Sequence, residues 1–249
     1  MKRIENRKIL GMLTPSSNTV LEPMTHDILA ELDDVSAHFA RFRVTEITLS
    51  EYGLGQFDMA PFLDAAGLLG DAKCDVIAWN GTSGGWRGFA YDAEICAQIA
   101  ATTGAGATTS ILANNDLFRR HGVSRFGLVT PYTDDVQAKI LANYAADGFT
   151  CVAESHLGIS DNFAFSEIDD QTVIDGCRRV AAAKPEAISI ICTNMRGAHL
   201  ADQLEAELGI PIYDSISVVV LRALELAGVD PARVRGWGRL FSMSMGNTE

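Results

Sequence analysis

Apolar runs of strand length alternate with longer amphipathic stretches along the chain, the pattern of βαβ units that build a parallel sheet. Residues 8–14, 35–44 and 75–80 read as strands, and residues 19–32, 59–73 and 88–102 as the helices around them, the second opened by Pro61. The series then runs again, with strands at 125–130, 150–154 and 187–192 and helices at 134–147, 169–183 and 198–208. Two further helices, 110–121 and 215–227, each follow a short strand and a serine, and each is expected to leave its own sheet and begin the packing of the other half. Residues 234–241 are expected to return to the first half.

The two halves also match residue by residue. Gly11-Met12-Leu13-Thr14-Pro15 returns as Gly127-Leu128-Val129-Thr130-Pro131, and the apolar run ending in Asn80-Gly81-Thr82-Ser83 returns as the one ending in Cys192-Thr193-Asn194. Superposed, Thr82 meets Thr193 and Gly81 meets Cys192. The expected fold is therefore α/β, with two Rossmann-like lobes related by a pseudo-twofold axis. Each lobe holds a mostly parallel sheet flanked by helices, and the site lies in the cleft between them. Residues 1–112 plus 216–249 form the first lobe and residues 113–215 the second.

At 249 residues and 47% hydrophobic, the chain is long enough for two small α/β cores. A net charge of −12 disfavours nucleic acid and anionic membrane surfaces as partners. No apolar run reaches spanning length, and the charged start Met1-Lys2-Arg3 lacks a signal-type core, so a cytoplasmic location is expected. Five scattered cysteines, Cys74, Cys96, Cys151, Cys177 and Cys192, suit free thiols in a reducing compartment.

Ligands of open parallel sheets sit beyond the carboxyl ends of the strands. Four strands here end in small polar clusters: Pro15-Ser16-Ser17-Asn18, Asn80-Gly81-Thr82-Ser83, Pro131-Tyr132-Thr133-Asp134 and Cys192-Thr193-Asn194. Each leads toward a helix start, where free N–H groups favour an anion. Ser17, Asn18, Asp134 and Asn194 also suit simple helix capping. Taken together across a twofold axis, the clusters point to a carboxylate-binding cleft. Cys192 stands at a strand end, whereas the other cysteines fall within helices or at strand starts and read as core filler. The histidines show no paired spacing with one another or with cysteine, so no metal site is expected. The glycine-rich stretches lack the third glycine of a dinucleotide fingerprint and the lysine of a phosphate-binding loop.

A duplicated chain carrying Pro-Ser-Ser-Asn-Thr, Gly-Thr-Ser, Thr-Pro-Tyr-Thr-Asp-Asp-Val and Cys-Thr-Asn-x-Arg-Gly resembles the aspartate/glutamate racemase superfamily, within it the arylmalonate decarboxylase and maleate cis-trans isomerase branch. In that superfamily one cysteine per lobe faces the substrate carbon. Racemases use both as acid and base, isomerases use the first as a nucleophile on the double bond, and decarboxylases keep the second with glycine in place of the first. The resemblance implies that Cys192 is the proton donor. It also implies that Thr82, Ser83, Tyr132 and the backbone after Cys192 form a dioxyanion hole, and that no cofactor is used. Ser17, Asn18, Asn80, Gly81, Thr193 and Asn194 complete the expected substrate contacts. Two stretches look isomerase-like instead, Pro15-Ser16-Ser17-Asn18 and His38-Phe39-Ala40-Arg41-Phe42-Arg43, whose arginines suit either a second anion or a solvated edge.

The leading expectation is a cofactor-independent decarboxylase of substituted malonate-type acids, acting on a small carboxylate, with a homo-oligomer as the one protein assembly considered. The alternative is a maleate isomerase or an amino- or hydroxy-acid racemase that pairs the one cysteine with Asn80, Ser17 or Tyr132. A third reading is a lobe pair that senses a carboxylate without turnover. On the first, Gly81→Cys is expected to restore a proton carrier on the second face.

Overall fold

The computed structural model describes residues 7–243, so the outer ends of the assigned first lobe, residues 1–6 and 244–249, lie outside the described residues. The first half runs β1 (Lys8–Pro15), α1 (Leu21–Ile28), β2 (Val35–Phe42), α2 (Glu51–Gly55), α3 (Met59–Asp71), β3 (Val76–Trp79), α4 (Gly84–Arg87), α5 (Phe89–Thr103) and β4 (Gly106–Thr109). Helix α6 (Ser110–Arg120) follows. The second half continues with β5 (Arg125–Thr130), α7 (Asp134–Ala146), β6 (Thr150–His156), α8 (Asp170–Ala181), β7 (Ala187–Ile190), α9 (Ala201–Leu208) and β8 (Ile212–Asp214). Helices α10 (Ser215–Leu226) and α11 (Leu240–Met243) close the described chain.

Two four-stranded sheets result, ordered β2-β1-β3-β4 and β6-β5-β7-β8, with every pairing parallel. Corresponding strands hold corresponding places. Central strands β3 and β7 are buried at every residue, as expected of a parallel sheet covered on both faces. The repeated glycine explains itself in the packing. A Cβ on Gly11 would come within 3.1 Å of Leu69 on α3, and one on Gly127 within 2.9 Å of Val180 on α8, so both glycines let a helix lie close on its sheet.

Helix α10 is apolar on nearly every side, which fits its place against β3, β4 and α1 of the first sheet and against α6. Helix α6 reaches the other way. Phe118 packs on Phe126 and Tyr213, and Asn114 accepts a hydrogen bond from Ser189 of β7. The segment after α10 behaves differently from its expected return to the first lobe, because it is tied to both halves. Arg233 pairs with Asp34 ahead of β2, whereas the backbone N–H groups of Gly238 and Arg239 bind Asp202 and Glu205 of α9.

Other differences lie in short elements. The helix expected at 19–32 shrinks to α1, and the one at 198–208 starts with a 3-10 turn at Ala198–Leu200 before α9. Helices α2 and α4 carry too few residues to show a period. Gly88, at φ +104°, separates α4 from α5 in a conformation that favours glycine.

Candidate active site

The carboxyl ends of the two sheets face one narrow cavity between the lobes. Gly81 and Thr82 reach it from the end of β3, Tyr132 from the end of β5, and Cys192 and Thr193 from the end of β7. The matched positions of the repeat, Gly81 and Cys192, thus border the same space. Its remaining wall is largely apolar: Val44, Ile47, Phe57, Trp79 and Trp86.

Cys192 is 2% exposed, and its surroundings pull in two directions. Burial pushes the thiol up to about 12, while hydrogen bonds from the Asn194 and Met195 backbone and from Tyr132 act to lower it. These N–H groups belong to a turn, because regular helix starts only at Ala201; the expected helix N-terminus beneath the sulfur is replaced by this turn. The thiol therefore rests protonated, with donors already aimed at the thiolate left after proton transfer. Among the five cysteines, all free, Cys192 is the one that lines the cavity.

Tyr132 and Thr82 share a hydrogen bond of 2.5 Å across the lobes. Burial, reinforced by the neighbouring Cys192, holds the phenol well above its ordinary range, so Tyr132 remains a donor throughout the neutral range. Two hydroxyls and turn N–H groups beside one sulfur form a set that can stabilise charge on carboxylate oxygens.

The other expected contacts stand behind this inner wall. Asn18 caps the chain entering α1 by accepting from Val20 and Leu21 N–H, and donates to Thr193 Oγ1 at 3.2 Å. Thr193 donates in turn to the Asn80 carbonyl at 2.8 Å. Asn194 accepts from the Thr19 and Val20 N–H groups and donates to the Asn162 carbonyl, and Asn162 donates to Ser17 Oγ at 2.7 Å. Ser17, Asn18, Thr193 and Asn194 thus join the lobes through their side chains. The Asn80 amide turns into the first sheet, donating to the Leu13 and Ala78 carbonyls. Ser83 Oγ accepts from the Trp79 indole at 3.2 Å. Arg41 points away from the cavity. It pairs with Glu22 at 2.7 Å and holds the Ser16 and Asn18 carbonyls, while Arg43 borders an outer groove beside Tyr52. Asp134 meets His156 on the outside of the second lobe.

Three features escaped the sequence reading. The loop after β2 bridges to the second lobe, with Ile47 N–H on the Ser160 carbonyl at 2.8 Å and Asn162 N–H on the Thr45 carbonyl at 2.9 Å, so it roofs the cavity. Asn162, 4% exposed, sits at this junction and lines the space. Trp79, buried at the end of β3, lies directly over Gly81. A Cβ built there would stand 1.9 Å from Cζ2 of the indole. This corrects the expectation for Gly81→Cys, since Trp79 already holds the place of the new thiol. Gly81 lies two residues past Trp79, beyond the end of β3, where strand alternation gives no sign of the contact. Among the described residues, no three of His, Cys, Asp or Glu come together as a metal-binding group.

The chain is similar to known proteins over most of its length. Arylmalonate decarboxylase from Bordetella bronchiseptica is 30% identical over 185 residues, covering 73% of this chain and 77% of its own. Maleate isomerase from Nocardia farcinica is 27% identical over 244 residues, covering 93% of this chain and 94% of its own. The solved structure of the Nocardia maleate cis-trans isomerase, in a cysteine-to-serine mutant with a covalently bound succinylcysteine intermediate, superposes with a TM-score of 0.86 at 24% identity, covering 95% of this chain and 99% of its own. A liganded arylmalonate decarboxylase with glycine changed to cysteine and cysteine to serine superposes with a TM-score of 0.84 at 25% identity, covering 96% and 100%. With the family model for arylmalonate decarboxylase matching residues 18–241, the chain belongs to the arylmalonate decarboxylase family.

Proposed function

We propose that the protein is a carboxy-lyase that decarboxylates a substituted malonate-type diacid with its own side chains. The observation that carries this reading is the pairing of Cys192 with Gly81 across the cavity, where the indole of Trp79 takes the space of a second thiol. An isomerase that begins with sulfur attack from the first lobe finds no sulfur there. The Gly/Cys pair exchanged in the decarboxylase mutant is in keeping with the same arrangement.

One carboxylate of the diacid accepts hydrogen bonds from Thr82, Tyr132 and turn N–H groups. The other lies against the apolar wall, where loss of water raises its energy relative to the neutral CO₂ it becomes. The bond from the α-carbon to that carboxylate breaks and CO₂ leaves. Its electron pair spreads into the remaining carboxylate as an enediolate. Cys192 then passes its thiol proton to the α-carbon, and the thiolate regains a proton from solvent. In sum, a diacid dianion and a proton become a monoacid anion and CO₂.

The test is CO₂ release from a panel of substituted malonates by the wild-type protein and by Cys192→Ala. We expect turnover by the wild type and a fall of at least about 100-fold in the variant, the contribution of a positioned general acid. Wild-type protein that converts maleate to fumarate but releases no CO₂ would overturn the reading in favour of the isomerase.

A further inference from the structure

Trp79 occupies the part of the cavity nearest the first lobe, and it has no room to leave. It is fully buried, with Phe42 at 5.0 Å and Phe62 edge-on at 4.6 Å between ring centroids, while its Nε1 donates to Ser83. The atoms closest to a Cβ on Gly81 are Cζ2, Cε2 and Cη2, at 1.9, 2.4 and 2.6 Å. These belong to a rigid ring, so no end of a flexible side chain can turn aside. The aromatic part of the wall is locked by the same kind of contact. Phe57 meets both Trp79 and Trp86 edge-on, and Trp86 meets Tyr132 at 5.2 Å, which makes a continuous aromatic row from Phe42 to Tyr132. Close-packed rings of this kind do not widen a pocket one at a time.

We infer that Trp79 determines substrate size: its indole limits the unsaturated α-substituent of the diacid to a compact group of vinyl size and excludes an aryl ring. The inference rests on the decarboxylase reading. Chemistry sets the lower bound, because an α-substituent with a π system spreads the developing carbanion, and a vinyl group supplies this with far less volume than a phenyl ring. Geometry sets the upper bound through the aromatic row. Trp79 is here a specificity determinant, while Cys192 and the hydroxyls remain the reacting and charge-stabilising groups.

A matched pair of diacids tests this, 2-methyl-2-vinylmalonate and 2-methyl-2-phenylmalonate, with kcat/KM measured for the wild type, Trp79→Phe and Trp79→Ala. We expect the wild type to favour the vinyl acid by at least about 10-fold, and Trp79→Ala to move that ratio at least about 10-fold toward the phenyl acid, with Trp79→Phe between them. Both acids are measured on one preparation, so any loss of folded protein cancels in the ratio. A wild-type ratio near one, or a variant that loses both activities equally, overturns the inference. If the wild type turns over neither acid, the decarboxylase reading fails by itself and the size limit is read from binding. In that case a thermal shift of the wild type by the vinyl acid alone, joined by the phenyl acid in Trp79→Ala, supports it, and any other pattern overturns it. The underlying contact has its own readout. Gly81→Ala should lower Tm by on the order of 5 °C in the wild type and by much less in Trp79→Ala, whereas equal losses would show that the two positions do not collide.

Discussion

At the scale of single residues, the site divides between groups that react and groups that hold. Cys192 and Tyr132 come from neighbouring strand ends of one lobe and Thr82 from the other, so three side chains distant in sequence meet at one cavity. Cys192 was legible because the repeat aligns it with Gly81 and because a strand end is where such chemistry sits. Trp79 was not, because a tryptophan closing the run Val76–Trp79 is indistinguishable from core until its ring is seen to lie over the glycine two positions on. Asn18 and Asn194 carried a true polar signal with two readings: Asn18 caps Leu21 in its own lobe and reaches across to the Thr193 hydroxyl, whereas Asn194 binds the Thr19 backbone across the lobes. For Tyr132 the expectation is specific. Tyr132→Phe removes the donor shared by Thr82 and Cys192, and kcat should fall by about 10²–10³, the usual cost of one such donor. Steady-state decarboxylation measured with folded protein checks this, and an unchanged kcat would remove Tyr132 from the charge-stabilising set.

At the scale of elements, long periodic segments were readable and short ones were not. The alternation of runs located the sheet strands and their covering helices, since a buried strand and an amphipathic helix each repeat often enough to leave a pattern. Helix α2, of five residues, and the roofing loop before it have no such pattern, and their places depend on contacts with residues far along the chain. The tie between α1 and the end of β7 is another long-range feature. Asn194 satisfies Thr19 and Val20 N–H groups while donating to the roof at Asn162. Asn194→Ala should therefore cost about 1–3 kcal/mol, the range for stranding buried donors and acceptors. Urea unfolding of the variant beside the wild type measures it; no shift in midpoint would mean that the lobes are joined by apolar packing alone.

For the whole molecule, the twofold repeat was the most legible property, because equal strand orders follow from equal sequence patterns. What the pattern could not convey was the balance of buried charge. Asp92, in the first lobe, and Asp214, at the start of α10, are both driven from 3.8 to about 7 by burial. Unfolded chain releases these protons near pH 4, whereas the folded protein keeps them to about pH 7. The folded state binds more protons between those values, so this part of the stability falls as pH rises through that window. His156, raised by Glu154 and Asp134, adds to the same trend, while half-buried His121, lowered by desolvation, opposes it. Asp34, Asp135 and Glu186, lowered by their hydrogen bonds, lose their stabilising effect only below the ordinary carboxylate range. We expect a higher Tm near pH 5 than near pH 8, and a flatter profile for Asp92→Asn. A Tm that climbs steadily from pH 5 to pH 8 would contradict this account.

The indole over Gly81 also has a meaning for descent. A cysteine arriving at position 81 collides with Trp79, and a smaller residue arriving at 79 opens a hole among Phe42, Phe57 and Phe62, so each first step carries its own cost in folding. Passage between a one-thiol and a two-thiol form by single substitutions therefore runs through a less stable intermediate, and a paired change at 79 and 81 avoids it.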